Sequence, residues 1–158
     1  MFDKFGLMNC EELNRAAAAQ LKEGDIDALM ELAKENGIDE MDTEDYIDGV
    51  CDELASPLMA ASGKLSVEIE HLKLKGVVKD WAECLLGMMT DDEELCLAVR
   101  KTDKTLTEFL GKALKVAFDT KEQLDDSIVK AAGLKPPVYL GIPSTSDIKK
   151  LAKEYYKG

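Results

Sequence analysis

The residues with the greatest capacity for chemistry are carboxylates crowded into one part of the chain. Residues 35–63 carry nine Asp or Glu and not one Lys or Arg. Paired carboxylates act as general acid and base only where a cleft fixes their separation across a substrate, and a sequence cannot show a cleft, so pairs alone do not indicate catalysis. We instead treat eight of them as a candidate partner-binding surface, the acidic face. It comprises Asp39, Glu40, Asp42, Glu44, Asp45, Asp48, Asp52 and Glu53.

Metal binding is the next chemistry that this run of acids suggests. A calcium loop needs Asp at its first position, Gly at its sixth and Glu at its twelfth, and no aspartate here has that spacing. Only a weak, non-specific divalent site remains as an alternative. The chain has no CxxC pair and a single histidine, His71, so a zinc site has no ligand pattern. We predict no metal and no cofactor.

The sequence contains no clear pattern for nucleophilic catalysis either. The cysteines are Cys10, Cys51, Cys84 and Cys96, and all four fall in apolar helical contexts where a neutral thiol is expected. The phosphate-binding patterns GxxxxGK[ST] and GxGxxG are absent. We therefore predict that the chain is not an enzyme.

Charge is divided along the chain. Residues 1–99 hold 8 Lys or Arg and 24 Asp or Glu, a net charge of −16, whereas residues 100–158 hold 12 and 8, a net charge of +4. Charge of this kind indicates partners rather than fold. The acidic part should repel nucleic acid and attract a basic surface. The alternative is that the acids only keep the protein well solvated.

The cations of the last third form a second candidate surface, the basic set. Lysines late in a helix also favour its macrodipole, so they need no ligand to explain them. The alternative is contact with nucleic acid or phosphate. The basic set comprises Arg100, Lys101, Lys104, Lys149, Lys150 and Lys153.

Length and composition favour one globular domain over residues 1–158, because 46% of the 158 residues are apolar. No run approaches the roughly 20 apolar residues of a membrane span. The start, MFDKFGLMNCEE, shows no signal peptide. We expect a cytoplasmic protein without membrane contact.

Apolar spacing and capping residues predict an all-α fold of about eight short helices. Asn9 and Glu12 predict a capping box, Gly24 a helix end and Asp25 a new start, which together give an αα-hairpin that ends at Asn36-Gly37. Further starts are predicted at Ser56-Pro57, at the pairs Thr90/Glu93, Thr105/Glu108 and Ser144/Asp147, and at Asp125 or Asp126.

The third helix, which carries much of the acidic face, is predicted to begin at Asp42 or Thr43. Its apolar stripe is Ile47, Val50, Cys51 and Leu54, and its acids fall on a different face. Asp48-Gly49 is a turn signal, but we give the stripe more weight.

The secondary structure of two further segments has to be argued separately. Residues 65–69 alternate apolar and polar residues, and we predict helix with a short strand as the alternative. The prolines Pro136 and Pro137 exclude helix near 135–143, so an extended crossing is predicted there, with Val138 and Leu140 turned inward. Trp81 is predicted to anchor the core.

Five segments carry a resemblance that spans nearly the whole chain. They are FDKFGLMNCEELNRAAAAQLKEGD, LAKENGID, LKLKGVVKDWAE, DDEELCLAVRKTDKTL and YLGIPSTSDIKKLAKEYYKG. The chain resembles small proteins carried by conjugative elements and phages of gut Firmicutes, a group that includes the type II-A anti-CRISPR proteins, which inhibit Cas9. These segments are helices and caps rather than a catalytic signature.

The resemblance implies a Cas9 inhibitor that acts in the cytoplasm of a bacterial host. Cas9 holds its nucleic acids in basic channels and reads the PAM duplex with arginines. An acidic face whose residues at i, i+3 and i+4 have Cβ atoms about 5–6 Å apart could mimic DNA there, and its partner would be Cas9 or the Cas9–guide RNA complex. The alternative is an accessory or DNA-processing protein of a conjugative element that does not act on CRISPR.

Overall fold

The computed structural model describes all 158 residues and is built from nine helices and one two-stranded sheet, so the fold is all-α as predicted. The helices and strands are α1 (Cys10–Glu23), α2 (Ile26–Glu35), α3 (Glu40–Ile47), α4 (Pro57–Leu72), α5 (Gly76–Met89), α6 (Glu93–Val99), α7 (Leu106–Asp119), β1 (Glu122–Gln123), α8 (Asp126–Ala131), β2 (Tyr139–Leu140) and α9 (Thr145–Lys157).

The first two helices form the predicted αα-hairpin. Asn9 Oδ1 accepts a hydrogen bond from the Glu12 amide at 2.9 Å, and the Glu12 carboxylate accepts one from the Asn9 amide at 3.0 Å, so the capping box is present. Gly24 ends α1 at a φ of +74°, and Asp25 caps α2 by accepting from the Ala28 amide. These groups satisfy amides and carbonyls that a helix end leaves free.

The third helix differs from its prediction. It begins at Glu40 with Asp39 as its N-cap, and it ends at Ile47. The Val50 amide then donates to the carbonyl of Asp45, and Gly49 takes a φ of +76°, which is a glycine-terminated helix end. Asp48-Gly49 is therefore a turn, and the predicted stripe was wrong beyond Ile47. Val50 is 71% exposed and Cys51 is exposed, whereas Leu54 is buried.

Two of the predicted capping boxes take other forms. Helix α6 is capped by Asp92, which accepts from the Leu95 amide at 3.0 Å, and not by Thr90. Thr105 caps α7 as predicted, but the Glu108 carboxylate accepts from the Tyr155 hydroxyl at 2.6 Å instead of closing the box. The starts at Ser56-Pro57, Asp125 and Ser144 are as predicted. Residues 65–69 are helical.

The proline-rich segment is extended, but it also contains a strand that the sequence did not predict. Tyr139 and Leu140 pair antiparallel with Gln123 and Glu122. Leu140 is 52% exposed, so its predicted inward position was wrong, whereas Val138 is half-buried. A strand needs a partner, and the partner of β2 is β1, which precedes α8 in the chain. A pattern of neighbouring residues does not indicate a pairing across that distance.

The interior consists of two apolar clusters joined by α4. The smaller one gathers buried residues of α1, α2 and α3 with Leu54, Ala55 and Ala60. The larger one joins Ala61 and Leu65 of α4 to α5, α6, α7 and α9, and it includes Trp81 as predicted. Consecutive residues of one helix, Ala60 and Ala61, thus belong to different clusters.

The two clusters meet where the backbone at Asn36 and Gly37, after α2, touches the backbone at Gly63 in α4. We call this junction the seam. A Cβ atom added at Gly37 would lie 2.3 Å from the carbonyl oxygen of Gly63, and one added at Gly63 would lie 2.5 Å from that of Asn36. Only glycine permits so close an approach, because any side chain would overlap the facing backbone. The end of α2 is thereby pressed against the middle of α4.

Candidate partner-binding surface

The acidic face lies on α3, its N-cap Asp39 and the loop that follows the helix, and every one of its eight acidic residues is exposed. The opposite side of α3 holds the helix to the protein through Thr43 and Tyr46, which are buried. The side chain of Thr43 also donates to the carbonyl of Asp39 at 2.7 Å. Burial raises the pKa of the Tyr46 phenol, and nearby Glu53 raises it further. Tyr46 is therefore a neutral anchor beneath an acidic exterior.

None of the eight carboxylates of the acidic face forms an ion pair within the protein. Some have a local role, because Asp39 caps α3 by accepting from the Met41 amide at 2.9 Å. Glu40 and Asp42 also suit the positive end of the helix dipole. Asp48 is different, because it lies at the negative end of α3, where a cation would be favoured. Its charge does not support the helix.

Two large apolar side chains among these acids are strongly exposed to solvent. Met41 is 70% exposed and Val50 is 71% exposed. Single exposed apolar residues are ordinary. Here they give an otherwise charged surface two points that can contact a partner by packing.

A cleft of about 580 Å³ borders the acidic face between α2 and α3. Asp27, Glu31 and Glu40 contribute carboxylates to its lining, and Lys34 is its single cation. Glu31 forms an ion pair with Lys4, so one of these charges is already neutralised. The negative surface therefore extends from α3 toward α2, but less strongly there.

The basic set does not form one surface. Arg100 is fully buried, so the prediction that it contacts nucleic acid was wrong. Its Nε donates to the carbonyl of Met8 at 2.7 Å, its Nη1 to that of Ala60 at 3.0 Å, and its Nη2 to Asn36 Oδ1. Burial lowers the pKa of Arg100 to about 10. Arg100 thus braces the seam between the two apolar clusters.

The lysines of the basic set divide into engaged and free residues. Lys104 donates to the carbonyl of Tyr155 at 2.8 Å and lies over the Tyr155 ring, so it serves the packing of α9. Lys150 lies 3.8 Å from Glu154, a loose pair at exposed positions. Lys101, Lys149 and Lys153 are exposed. The structure therefore keeps three lysines of α9 at the surface and removes Arg100 from it.

Sequence reasoning missed the second buried cation of the seam, Lys64. Its Nζ donates to the carbonyls of Val99 at 2.7 Å, Lys101 at 3.3 Å and Lys104, so it caps the end of α6. Burial lowers the pKa of Lys64. The signal that was available is its place on an apolar helix, directly before Leu65 and one turn before Glu68, and this signal is weak because lysine usually reaches solvent.

Glu68 is the buried carboxylate that accompanies these cations. Its Oε1 accepts from the Leu106 amide at 3.3 Å, and its Oε2 has no partner. Burial raises the pKa of Glu68, and Lys64 opposes that shift. The seam is a structural brace with one free carboxylate oxygen, and the cleft that borders it at Gly37 and Gly63 has a volume of about 240 Å³.

Groups that could support catalysis or metal binding stay apart. No three His, Cys, Asp or Glu side chains converge to hold a metal ion. The cysteines are all free thiols, and burial raises the pKa values of Cys10 and Cys96, as predicted for neutral thiols. Cys51 is exposed in the loop after α3, so its predicted apolar helical position was wrong. His71 is exposed near the end of α4.

Comparisons with known proteins identified no relative of this chain. Scans against protein-family models, curated proteins and solved structures each found no match. No helix of the protein combines the length and the apolar character that crossing a membrane requires.

Proposed function

We propose that this chain is a stoichiometric inhibitor of Cas9 that binds Cas9 or the Cas9–guide RNA complex and blocks target-DNA binding or cleavage. The resemblance to type II-A anti-CRISPR proteins suggests the target. The observation that carries the proposal is the acidic face, where eight exposed carboxylates have no cation of their own. Unpaired charge of this density favours a partner that supplies the cations.

The mechanism needs no reaction. A basic channel that holds nucleic acid carries condensed or mobile anions, and a carboxylate surface can displace them as a phosphate backbone does. Exposed charges act over about 10 Å at 0.1 M salt, so affinity should fall as salt rises. Met41 and Val50 would add packing contacts that survive high salt.

Charge reversal tests the acidic face directly. The variant Asp45→Lys, Asp48→Lys, Asp52→Lys changes three side chains that make no side-chain hydrogen bond or ion pair, so the fold should persist. We expect its affinity for Cas9 to fall at least about tenfold, because like charges then face each other. Complex formation and target cleavage are measured with and without guide RNA over a salt series.

The matched control places the same change in charge elsewhere. Glu23→Lys, Glu70→Lys, Asp80→Lys reverses three exposed acids of α1, α4 and α5 that form no ion pair. We expect it to inhibit as the wild type does. Full inhibition by the folded acidic-face variant would remove that surface from the mechanism. Absence of a complex with several type II-A Cas9 proteins would reject the function itself.

A second candidate is an accessory DNA-binding protein of a conjugative element. The observation that favours it is the exposed row Lys149, Lys150 and Lys153 on α9. Direct DNA binding by the isolated chain, lost when these three lysines become Glu, would support it. The overall charge of −12 opposes it.

A further inference from the structure

A cleft of about 770 Å³ lies between α7 and α9, and it is larger than the one beside the acidic face. Only two of its nine lining residues are hydrophobic, so it suits a charged ligand better than an apolar one. The lining residues of each helix are three or four positions apart, which places them on one side of that helix. They include Glu108, Gly111, Lys112 and Lys115 of α7 and Glu154 and Tyr155 of α9.

Three lysines line this cleft, and two of them have no counter-ion in the protein. The Nζ atoms of Lys104 and Lys112 lie 4.8 Å and 5.7 Å from the centre of the Tyr155 ring, so both ammonium groups are near the same side chain. Neither forms an ion pair. The third, Lys115, pairs with Asp119 at exposed positions, where such a pair contributes little. Neighbouring cations of this kind are available to an anion.

The carboxylates at the cleft form no ion pair with its lysines. Glu108 accepts a hydrogen bond from the Tyr155 hydroxyl at 2.6 Å, so it is engaged in the contact between the two helices. Glu154 lies 3.8 Å from Lys150, which is outside the cleft. Gly158, the last residue, also lines the cleft, and its carboxylate forms no ion pair. The lysines thus stay unpaired although acids are close by.

Gly111 is an independent indication that the cleft takes a ligand. It lies inside α7, where glycine is less favourable than alanine because it loses more conformational freedom on folding. A Cβ added there would meet no atom within 4 Å, and the backbone does not adopt the left-handed conformation that favours glycine. Neither packing nor backbone conformation requires glycine at this position. A side chain here would extend into the cleft, so its absence keeps the space between α7 and α9 open.

We infer that this cleft is a phosphate-binding site, which takes phosphate groups of a small phosphorylated molecule or of a nucleic-acid backbone. Lysine binds phosphate through charge-assisted hydrogen bonds. Lys112 and Lys115 are one turn apart on α7, and Lys104 lies beside the same tyrosine ring as Lys112. Three ammonium groups can therefore converge on one phosphorylated ligand.

The size of the cleft agrees with this ligand class. Small-molecule sites have volumes of about 300–1,000 Å³, and the volume of this cleft lies within that range. The site uses neither the acidic face nor the exposed lysine row of α9. The inference therefore stands independently of the proposed action on Cas9.

Titration calorimetry of the full chain with tripolyphosphate, ATP and a short single-stranded DNA tests the site. The titrations contain no divalent metal, so that no ion bridges phosphate to the acidic face. We expect at least one probe to bind with a dissociation constant below about 1 mM, and the affinity should fall as salt rises. Backbone amide shifts in NMR spectra locate the ligand, and the largest changes should lie at Gly111 and its neighbours in the cleft.

Two variants alter the cleft in different ways. Lys112→Gln with Lys115→Gln removes two of its cations and should raise the dissociation constant at least about tenfold, because two charge-assisted contacts are lost. Gly111→Met fills the cleft with a residue that favours helix more than glycine does, so it should weaken binding without unfolding the protein. Circular dichroism verifies that each variant is folded.

The matched control is Lys149→Gln with Lys153→Gln, which removes the same charge from exposed, unpaired lysines of α9 outside the cleft. It should bind the probes as the wild type does. Equal weakening by this control and by the cleft variant would overturn the inference, because attraction by overall charge would then explain the binding.

The probes distinguish the sources of the phosphate. Binding of ATP or tripolyphosphate that the cleft variants weaken supports a site for small phosphorylated molecules. Binding of the DNA alone, weakened by the same variants, supports the site and assigns its phosphate to nucleic acid. No saturable binding of any probe up to about 1 mM would overturn the inference, and so would binding that both folded cleft variants leave unchanged.

Discussion

The two oppositely charged regions of this protein differ in what their charges contact. The eight carboxylates of the acidic face contact solvent and have no cation of their own. In the basic third, Arg100 lies inside the protein and Lys104 is bonded to α9. Charge that looks equally available in the sequence is thus exposed to solvent in one region, whereas in the other part of it is used in contacts within the fold.

Charges of the two regions differ in their effect on stability: some in the acidic face lower the stability of the fold, whereas the buried charge of Arg100 raises it. A carboxylate at the negative end of α3 opposes the helix dipole and its like-charged neighbours. A buried guanidinium with three acceptors joins elements that would otherwise expose those acceptors to an apolar interior. Substitutions that remove the charge of Asp48 and of Arg100 should therefore change the free energy of unfolding in opposite directions.

The largest expected effect is that of Arg100→Met. The substitution removes the hydrogen bonds that Arg100 donates to the partly buried Met8 carbonyl, the buried Ala60 carbonyl and the buried Asn36 side chain. We expect the free energy of unfolding to fall by about 3 kcal/mol or more, since each unpaired buried acceptor costs about 1–3 kcal/mol. Urea unfolding measures it.

Its control is Lys101→Met at the next residue, which is exposed and should change stability by no more than about 0.5 kcal/mol. A loss below about 1 kcal/mol for Arg100→Met would mean that the cost of burying the guanidinium offsets its hydrogen bonds, and the contrast between the regions would disappear.

A smaller effect of opposite sign is expected for Asp48→Lys in the acidic face. The new cation lies at the negative end of α3 and removes one like charge, so we expect stability to rise by about 0.3–1 kcal/mol at low salt. Urea unfolding at low and high salt measures the gain and its screening. Glu40→Lys, in the first turn of the same helix, should be destabilising. Equal effects of both variants would show that the dipole does not govern these sites.

The smallest effect concerns an ion pair between the acidic residues 1–99 and the basic last third, which joins Asp92 and Lys157 at 2.9 Å. The hydrogen bond from Lys157 lowers the pKa of Asp92, and the Leu95 amide lowers it further. Because the folded pKa lies below the unfolded value of 3.8, the stabilisation is complete above about pH 3.8 and is lost as the pH falls through the folded pKa.

Asp92→Asn keeps an acceptor for the Leu95 amide but removes the charge. Its unfolding midpoint should lie slightly below that of the wild type at pH 7, and the two should converge at the acidic end of a pH series. Asp91→Asn, at the exposed neighbouring residue, should not alter the pH profile. A constant difference at all pH values would assign the effect to the cap rather than to the ion pair.

Several elements were predictable because their signals are local. Asn9 with Glu12, Ser56 with Pro57 and Ser144 with Asp147 mark helix starts by bonding within three residues of themselves. Errors arose where two local signals conflicted. At Asp48-Gly49 an apolar spacing suggested a continued helix, but glycine in a left-handed conformation ended it.

The acidic face was predicted more accurately than the basic set, because the exposure of its residues follows from local signals. All eight acids of the acidic face are exposed, in agreement with their residue type and spacing. The basic set failed at Arg100, because its environment comes from Met8, Asn36 and Ala60, which lie between 40 and 92 positions away. No pattern within a helix reports a contact of that range.

The sequence by itself determined the all-α class, most helix starts and the segregation of charge, because these follow from hydrogen bonds and side-chain spacing within a few residues. Only the tertiary structure decided which charges are free. It buried Arg100 and Lys64 at the seam where two apolar clusters meet, and it left seven large apolar side chains between residues 114 and 142 exposed. Burial depends on which distant elements pack together, so it is a property of the assembled fold and not of any single segment.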